Sequence, residues 1–284
     1  MNDEKYRYRR LAYIGISAML FLLSILLLIL GIVNMKYWGK ALMIIAIVFI
    51  ALSVIYACML GVILNNLKNK YKEFVISDAF ITYNFLYSSR QLGVKKNKYA
   101  ITEEEFNSLG YTKMGDEFEF FTNELVVGDI RGIDFRSEDY AYISNMGNKK
   151  KCGRIYALNL KADPSFNLVI TKENYTTDLN KLDINPLGFN IYTNNSELAK
   201  KTISDKFEAK IEKVVHYGAL FIRITNGSLY LIIDGIKDSF SILNNREYGD
   251  ISNDVEKEVF IINNLIDSFN FTFKEKKEKP LKIK

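Results

Sequence analysis

Two long stretches without a single charged residue constrain this chain more than any other feature. Leu11–Val33 runs for 23 residues and Ala41–Leu64 for 24, separated only by "NMKYWGK" (34–40). At about 1.5 Å per residue each run makes a helix of roughly 35 Å, enough to cross a hydrocarbon layer of about 30 Å with some tilt. Core helices of soluble proteins seldom stay uncharged beyond about 14 residues. A cleaved signal peptide would explain Arg7, Arg9 and Arg10, but its apolar core spans about 7–15 residues and ends at a small-x-small site, which is missing here. The expectation is a transmembrane hairpin, 11–33 and 41–64.

The short turn forces the helices antiparallel and puts both flanks on one side of the bilayer. Lys5, Arg7, Arg9 and Arg10 precede the first run, and Lys68, Lys70 and Lys72 follow the second, against Lys36 and Lys40 in the turn. The positive-inside rule then assigns both termini and the large remaining domain to the cytoplasm of a cell membrane. Tyr37 and Trp38, the latter the only Trp, are expected at headgroup level as interface anchors. Ser53, Ala57 and Gly61 form a small-residue stripe on the second helix, expected to pack on the first, with a homo-oligomer contact as the alternative. Neither run contains an ionisable Asp, Glu, Lys, Arg or His, which leaves a proton relay or ion pathway nothing to run on.

Charge excludes a second class. The formal net charge of +5 gathers at the ends, in the basic segment 1–10 and in "KEKKEKPLKIK" (274–284). The rest is close to neutral, so no nucleic-acid-binding face is expected. Basic ends on such a chain suit the anionic headgroups of the lipid bilayer, and a disordered, solubilising tail is the other reading of 274–284. Cys58 and Cys152 are too far apart in sequence and setting to suggest a disulfide or a metal cluster.

After the second run, "NNLKNKYKEFVIS" continues as helix and "DAFITYNFLY" (78–87) turns extended. In "ITEEEFNSL", Thr102 and Glu105 make a capping box. Residues 116–160 alternate in strands: "DEFEFF", "ELVVGDIRG", "EDYAYIS" and "CGRIYALNL"; "SFNLVITKEN" adds another. "LGFNIYT" is a strand. Next comes a helical stretch with Leu198, Ala199, Ile203, Phe207, Ile211 and Val214 at helical spacing and Asn195 or Ser196 as N-cap. Asn226-Gly227 between alternating strands signals a type I′ hairpin. Val255, Val259, Ile262, Ile266 and Phe269 mark a closing amphipathic helix. Strands and helices come in runs rather than alternating, so the fold class is α+β, mostly antiparallel, over 65–273, with a seam between two subdomains expected near 180–188.

"ITEEEFNSLG", "ELVVGDIRGIDFRSEDYAY", "CGRIYALNL", "LGFNIYTNNSELAKKTISDKF" and "GSLYLIIDGIKDSF", in that order, resemble a family of bacterial membrane proteins described as a domain of unknown function. That family has two N-terminal spans and a cytoplasmic α+β domain, and its members are often encoded near LemA-type proteins. This chain has Ile191 for the family's Val, Asn195 near its Asp, and Ala199-Lys200 for its Ala-Arg. Cys152-Gly153-Arg154 stands where the family has a Phe-Lys-Gly-like step. The resemblance implies architecture, address and a LemA-like membrane partner, and no reaction.

Catalytic signatures are scarce. His216 is the only histidine, no Gly-x-Ser-x-Gly elbow or phosphate-cradling glycine loop occurs, and no cofactor is expected. Carboxylates remain: "GDIRGIDFRSED" brings Asp129, Asp134, Glu138 and Asp139 close in sequence, with Arg131 and Arg136. A solvated strand face with cross-strand ion pairs is the plain reading. Two functional classes survive: a non-catalytic, membrane-tethered binding or assembly module, which the sequence favours, and a hydrolase using carboxylates or a divalent ion held by Asp129, Asp134 and Asp139.

Overall fold

The computed structural model describes residues 3–34, 38–88, 99–111, 118–144, 150–160, 162–175, 177–235 and 248–270. Tyr37 and the lysine-rich segment 274–284 lie outside them. The chain divides into two compact units, Met1–Val75 and Ile76–Lys284.

The first unit is a helical hairpin. α1 (Asp3–Val33) and α2 (Gly39–Ile81) are both long and apolar enough to cross a membrane, and only 11% of each apolar window is buried within the protein. A core helix would be mostly covered, so this exposure fits a lipid-facing surface. The antiparallel seam is set by contacts along its length: the Tyr6 ring stacks on Tyr71, the Tyr56 hydroxyl donates to the Tyr13 carbonyl at 3.3 Å, and Gly31 faces Met43. A Cβ on Gly39 would collide with the backbone carbonyls of Gly31 and Asn34, so the turn closes only because position 39 lacks a side chain.

Ser53 lies on this seam, 7% exposed, its Oγ donating to the Phe49 carbonyl at 2.8 Å. Ala57 and Gly61 do not follow it. Both are exposed, and a Cβ on Gly61 would meet nothing within 4 Å. The stripe therefore does not pack on α1 as a unit. Trp38 is 77% exposed at the turn.

The second unit is α+β. Its described strands form one antiparallel sheet of nine, in the order β1-β2-β3-β4-β9-β8-β5-β7-β6. The strands are β1 (Leu86–Ser88), β2 (Phe118–Ile130), β3 (Ile133–Ser144), β4 (Lys150–Asn159), β5 (Leu168–Thr171), β6 (Asn180–Lys181), β7 (Asn190–Thr193), β8 (Ala219–Thr225) and β9 (Ser228–Asp234). The helices are α3 (Glu103–Ser108), α4 (Ser196–Thr202), α5 (Phe207–Val215) and α6 (Tyr248–Asp267). Residues 180–188 supply the edge strand β6 and the turn leading into β7.

Local chemistry explains most junctions. Thr102 Oγ1 accepts from the Glu105 amide at 3.1 Å to cap α3, while the Glu105 carboxylate turns instead to Arg136 and Tyr230. Asn195 caps α4. Asn226 and Gly227 both take positive φ, 51° and 72°, in the β8–β9 turn, and Arg131-Gly132 do the same between β2 and β3.

Two expectations fail on secondary structure. The stretch from "DAFI" is not extended: α2 continues to Ile81 because Ile76, Ala79 and Phe80, at helical spacing, are all buried. The helical stretch after 195 breaks into α4 and α5. Ile203 leaves helical geometry to bridge Phe269, with the Ser204 amide on the Ser268 carbonyl (3.0 Å) and the Asn270 amide on the Thr202 carbonyl (2.6 Å).

Side-chain alternation divides the sheet between two covers. On one face, Ile155, Ala157, Val169, Phe221, Tyr230 and Ile232 meet α3 through Phe106 and Leu109. On the other, Tyr156, Leu158, Leu229, Leu231 and Ile233 are buried, and α6 reaches this face through Glu258, which bonds Arg154 and Tyr156 of β4.

Candidate functional site

The face covered by α6 holds a buried charge network. Arg154 on β4 is 1% exposed. Its Nε lies 2.9 Å from both carboxylate oxygens of Glu258, and its Nη2 lies 2.6 Å from Oε1. Its Nη1 reaches Asp139 Oδ1 at 2.8 Å and its Nη2 the Ser137 hydroxyl at 3.0 Å. Ser137 and Tyr156 in turn donate to Glu258, the latter at 3.0 Å. Burial works against the guanidinium charge, but the Glu258 and Asp139 carboxylates outweigh it and hold the Arg154 pKa well above its ordinary value. Burial first, and Glu258 next, push the Tyr156 hydroxyl up strongly.

Next to it, Arg154 Nη1 donates to the Glu124 carbonyl at 3.3 Å. Glu124 sits where the β2–β3 register shifts, with φ of 56°, a conformation that bulges favour and ordinary strands do not. Its carboxylate accepts from the Tyr87 hydroxyl, whose pKa is raised mainly by burial and then by Glu124. Tyr87 of β1, Glu124 of β2, Ser137 and Asp139 of β3, Arg154 of β4 and Glu258 of α6 are thus joined by one set of bonds. The arrangement fastens α6 across four strands.

The opposite face carries a tyrosine cluster. Asp234, at the end of β9, accepts from the hydroxyls of Tyr111 and Tyr140, and Lys151 stands 3.8 Å from it. Lys151 also lies over the Tyr111 ring at 5.0 Å. Burial, then Asp234, raises the Tyr111 pKa; burial, then Tyr111 and Asp234, raises that of Tyr140.

The four carboxylates that lie close in sequence are separated in the fold. Asp129 and Asp134 are cross-strand partners beside the Arg131-Gly132 turn, on the α3 face; Asp129 Oδ1 accepts from the Gly132 amide at 3.0 Å and Asp134 is exposed. Glu138, four residues along on that face, is fully buried and accepts from the Ile101 amide at 2.8 Å. Asp139 points to the other side, onto Arg154. The solvated face is therefore corrected for Glu138 and Asp139, both buried. The pleat does not bring Asp129, Asp134 and Asp139 together around one ion, because Asp134 and Asp139, an odd number of residues apart on β3, point to opposite faces. Among the described residues no three His, Cys, Asp or Glu side chains gather as a metal site. His216 is exposed at the C-terminal cap of α5.

Sequence reading missed Arg154, Glu258 and Asp234. One signal was available for Glu258: it lies three residues after Val255 and four before Ile262, on the apolar stripe of α6.

No family model matches the chain, and no curated protein matches it. Among solved structures, a crystal structure of the mycobacterial trehalose monomycolate transport factor A, TtfA, aligns at 12% identity over 72% of this chain and 98% of that one, with a TM-score of 0.36. A likeness of that order carries no argument about fold or function.

Proposed function

We propose that this is a membrane-anchored, non-catalytic binding or assembly module of a bacterial cell membrane. In this reading the α1–α2 hairpin is the anchor, and the unit Ile76–Lys284 works in the cytoplasm next to the inner leaflet. The supporting observation is where the domain's polar groups go. Glu138 serves the Ile101 amide, Asp139 and Glu258 serve Arg154, Glu124 serves Tyr87, and Asp234 serves Tyr111 and Tyr140. Glu105 serves Arg136 and Tyr230, and Asp267 serves Arg131 and Lys210. Acid–base catalysis needs a carboxylate poised toward a reacting group, whereas these are committed to holding the fold. A sheet fastened by these bonds suits presentation of a surface.

Orientation rests on the seven cations flanking the spans against two in the turn. Trp38, and by sequence Tyr37, anchor the outer interface. The resemblance to the two-span family points to a membrane protein of the LemA type as the partner. Crosslinking with mass spectrometry in native membranes tests the reading. One partner should crosslink to lysines of the 76–284 unit and disappear when that unit is deleted while the hairpin is kept. Should Mg²⁺, Mn²⁺ or Ca²⁺ instead raise the melting temperature of the intact protein, and D134A abolish the rise, a metal-dependent enzyme would replace the scaffold.

A further inference from the structure

Beyond the apolar runs, α1 and α2 continue side by side. Tyr6 of α1 stacks on Tyr71 of α2, ring centroids 4.2 Å apart and planes within 12°, so the basic residues flanking these two positions stand at one level. Helical rise gives their heights. Arg10, Arg9, Arg7 and Lys5 lie about 1.5–9 Å beyond Leu11, and Lys68, Lys70 and Lys72 about 6–12 Å beyond Leu64. The headgroup layer on each side of a bilayer is about 5–8 Å thick, the difference between its full and hydrocarbon thickness. Arg7, Arg9, Arg10 and Lys68 therefore fall within it, and the other three within a Debye length of about 8–10 Å of its surface.

By sequence these flanks carry seven cations against three carboxylates. Arg7, Arg9, Arg10 and Lys70 are exposed, and Tyr8 is 75% exposed among them, an amphipathic ring of the kind that settles at an interface. Long basic side chains can keep their stems on apolar surface and extend their charges to phosphates.

We propose that the two helices together form a cationic collar that binds the headgroups of anionic phospholipids. This rests on the hairpin being membrane-embedded and adds a lipid preference to it. Charge on both helices matters because the Tyr6–Tyr71 stack brings it to one ring, where a single headgroup meets cations of α1 and α2 at once.

The test uses the intact protein reconstituted in phosphatidylcholine bilayers with trace spin-labelled phosphatidylglycerol or phosphatidylcholine. A cation held at the surface is worth about fivefold in association, so phosphatidylglycerol should be enriched at the protein at least fivefold in low salt. In 1 M salt, where the Debye length is about 3 Å, the preference should fall toward parity. R7Q/R9Q/R10Q and K68Q/K70Q/K72Q should each reduce it, and the salt series on the unaltered chain stands even if a variant inserts poorly. Equal association of the two lipids in low salt, or a preference indifferent to salt, overturns the collar. Extraction by alkaline carbonate separates the two readings: a chain that washes out refutes the membrane anchor itself, and one that stays but shows no preference refutes the collar alone.

Discussion

Substituting Glu258 by Ala removes the acceptor for three guanidinium contacts of 2.6–2.9 Å and for the Ser137 and Tyr156 hydroxyls. Arg154, 1% exposed, keeps Asp139. Breaking a buried pair from one side costs about 3–5 kcal/mol, because the surviving charge stays desolvated. Domains are held by only about 5–15 kcal/mol, so this is a large fraction of the total. For a unit of this size about 2–4 °C is lost per kcal/mol, which gives a fall in Tm of about 6–20 °C. The assay is thermal unfolding of the intact protein in detergent, followed by near-ultraviolet circular dichroism of its packed tyrosines. D267A is the control: Asp267 pairs with Arg131, itself 52% exposed, and with Lys210, both in reach of solvent, and its loss should cost about 1 kcal/mol. R154M/E258L/D139N, which replaces the ions with groups of similar volume, should cost less than E258A. An E258A cost no greater than that of D267A would contradict an uncompensated buried charge at Arg154.

Other outcomes follow from the same structure. Tyr87, Tyr111, Tyr140, Tyr156 and Tyr175 have hydroxyls held above the ordinary value chiefly by burial, and burial with Glu105 pushes Tyr230 up to about 12. A folded pKa above the unfolded one contributes stability that is complete below about pH 10 and is lost as pH rises from there through the folded pKa. Absorbance titration should therefore show these tyrosines ionising only with alkaline unfolding; a single step near pH 10 with the dichroism intact would contradict that. At Asp267, partial burial is outweighed by Lys210 and Arg131, which lower its pKa. Its advantage over D267N, under about 1 kcal/mol in this partly solvated pair, should be present at neutral pH and vanish as pH falls below about 4; an advantage that persists at pH 2 would be inconsistent. Asn226→Ala, at φ of 51°, should cost about 1–2 kcal/mol, whereas Asn226→Gly should be nearly neutral, both read by urea unfolding.

What the sequence disclosed, it disclosed through local rules. The apolar runs, the Asn226-Gly227 hairpin, the Thr102 and Asn195 caps and the α6 stripe as far as Ile266 depend on neighbours within a few residues and appear in the structure, whereas Phe269, expected on that stripe, lies past the helix end. The breaks came from distance. Ile203 sits at perfect helical spacing, yet it leaves the helix for Phe269, 66 residues on, a pairing no local window contains. The carboxylates failed for a related reason. Their parity was legible, but without the two-residue Arg131-Gly132 turn the register of β2 on β3 was not, and Arg154 looked like one surface arginine among several. Its buried setting depends on Glu258, 104 residues away.

Labelling in intact cells addresses the central claim, a cytoplasmic domain on a two-helix anchor. With C58A and C152A as background, N34C reports the turn and A209C, on an exposed position of α5, reports the domain. A membrane-impermeant maleimide should label N34C in intact cells, and A209C only after the membrane is opened. Labelling of A209C from outside, with N34C protected, would invert the orientation and contradict the account.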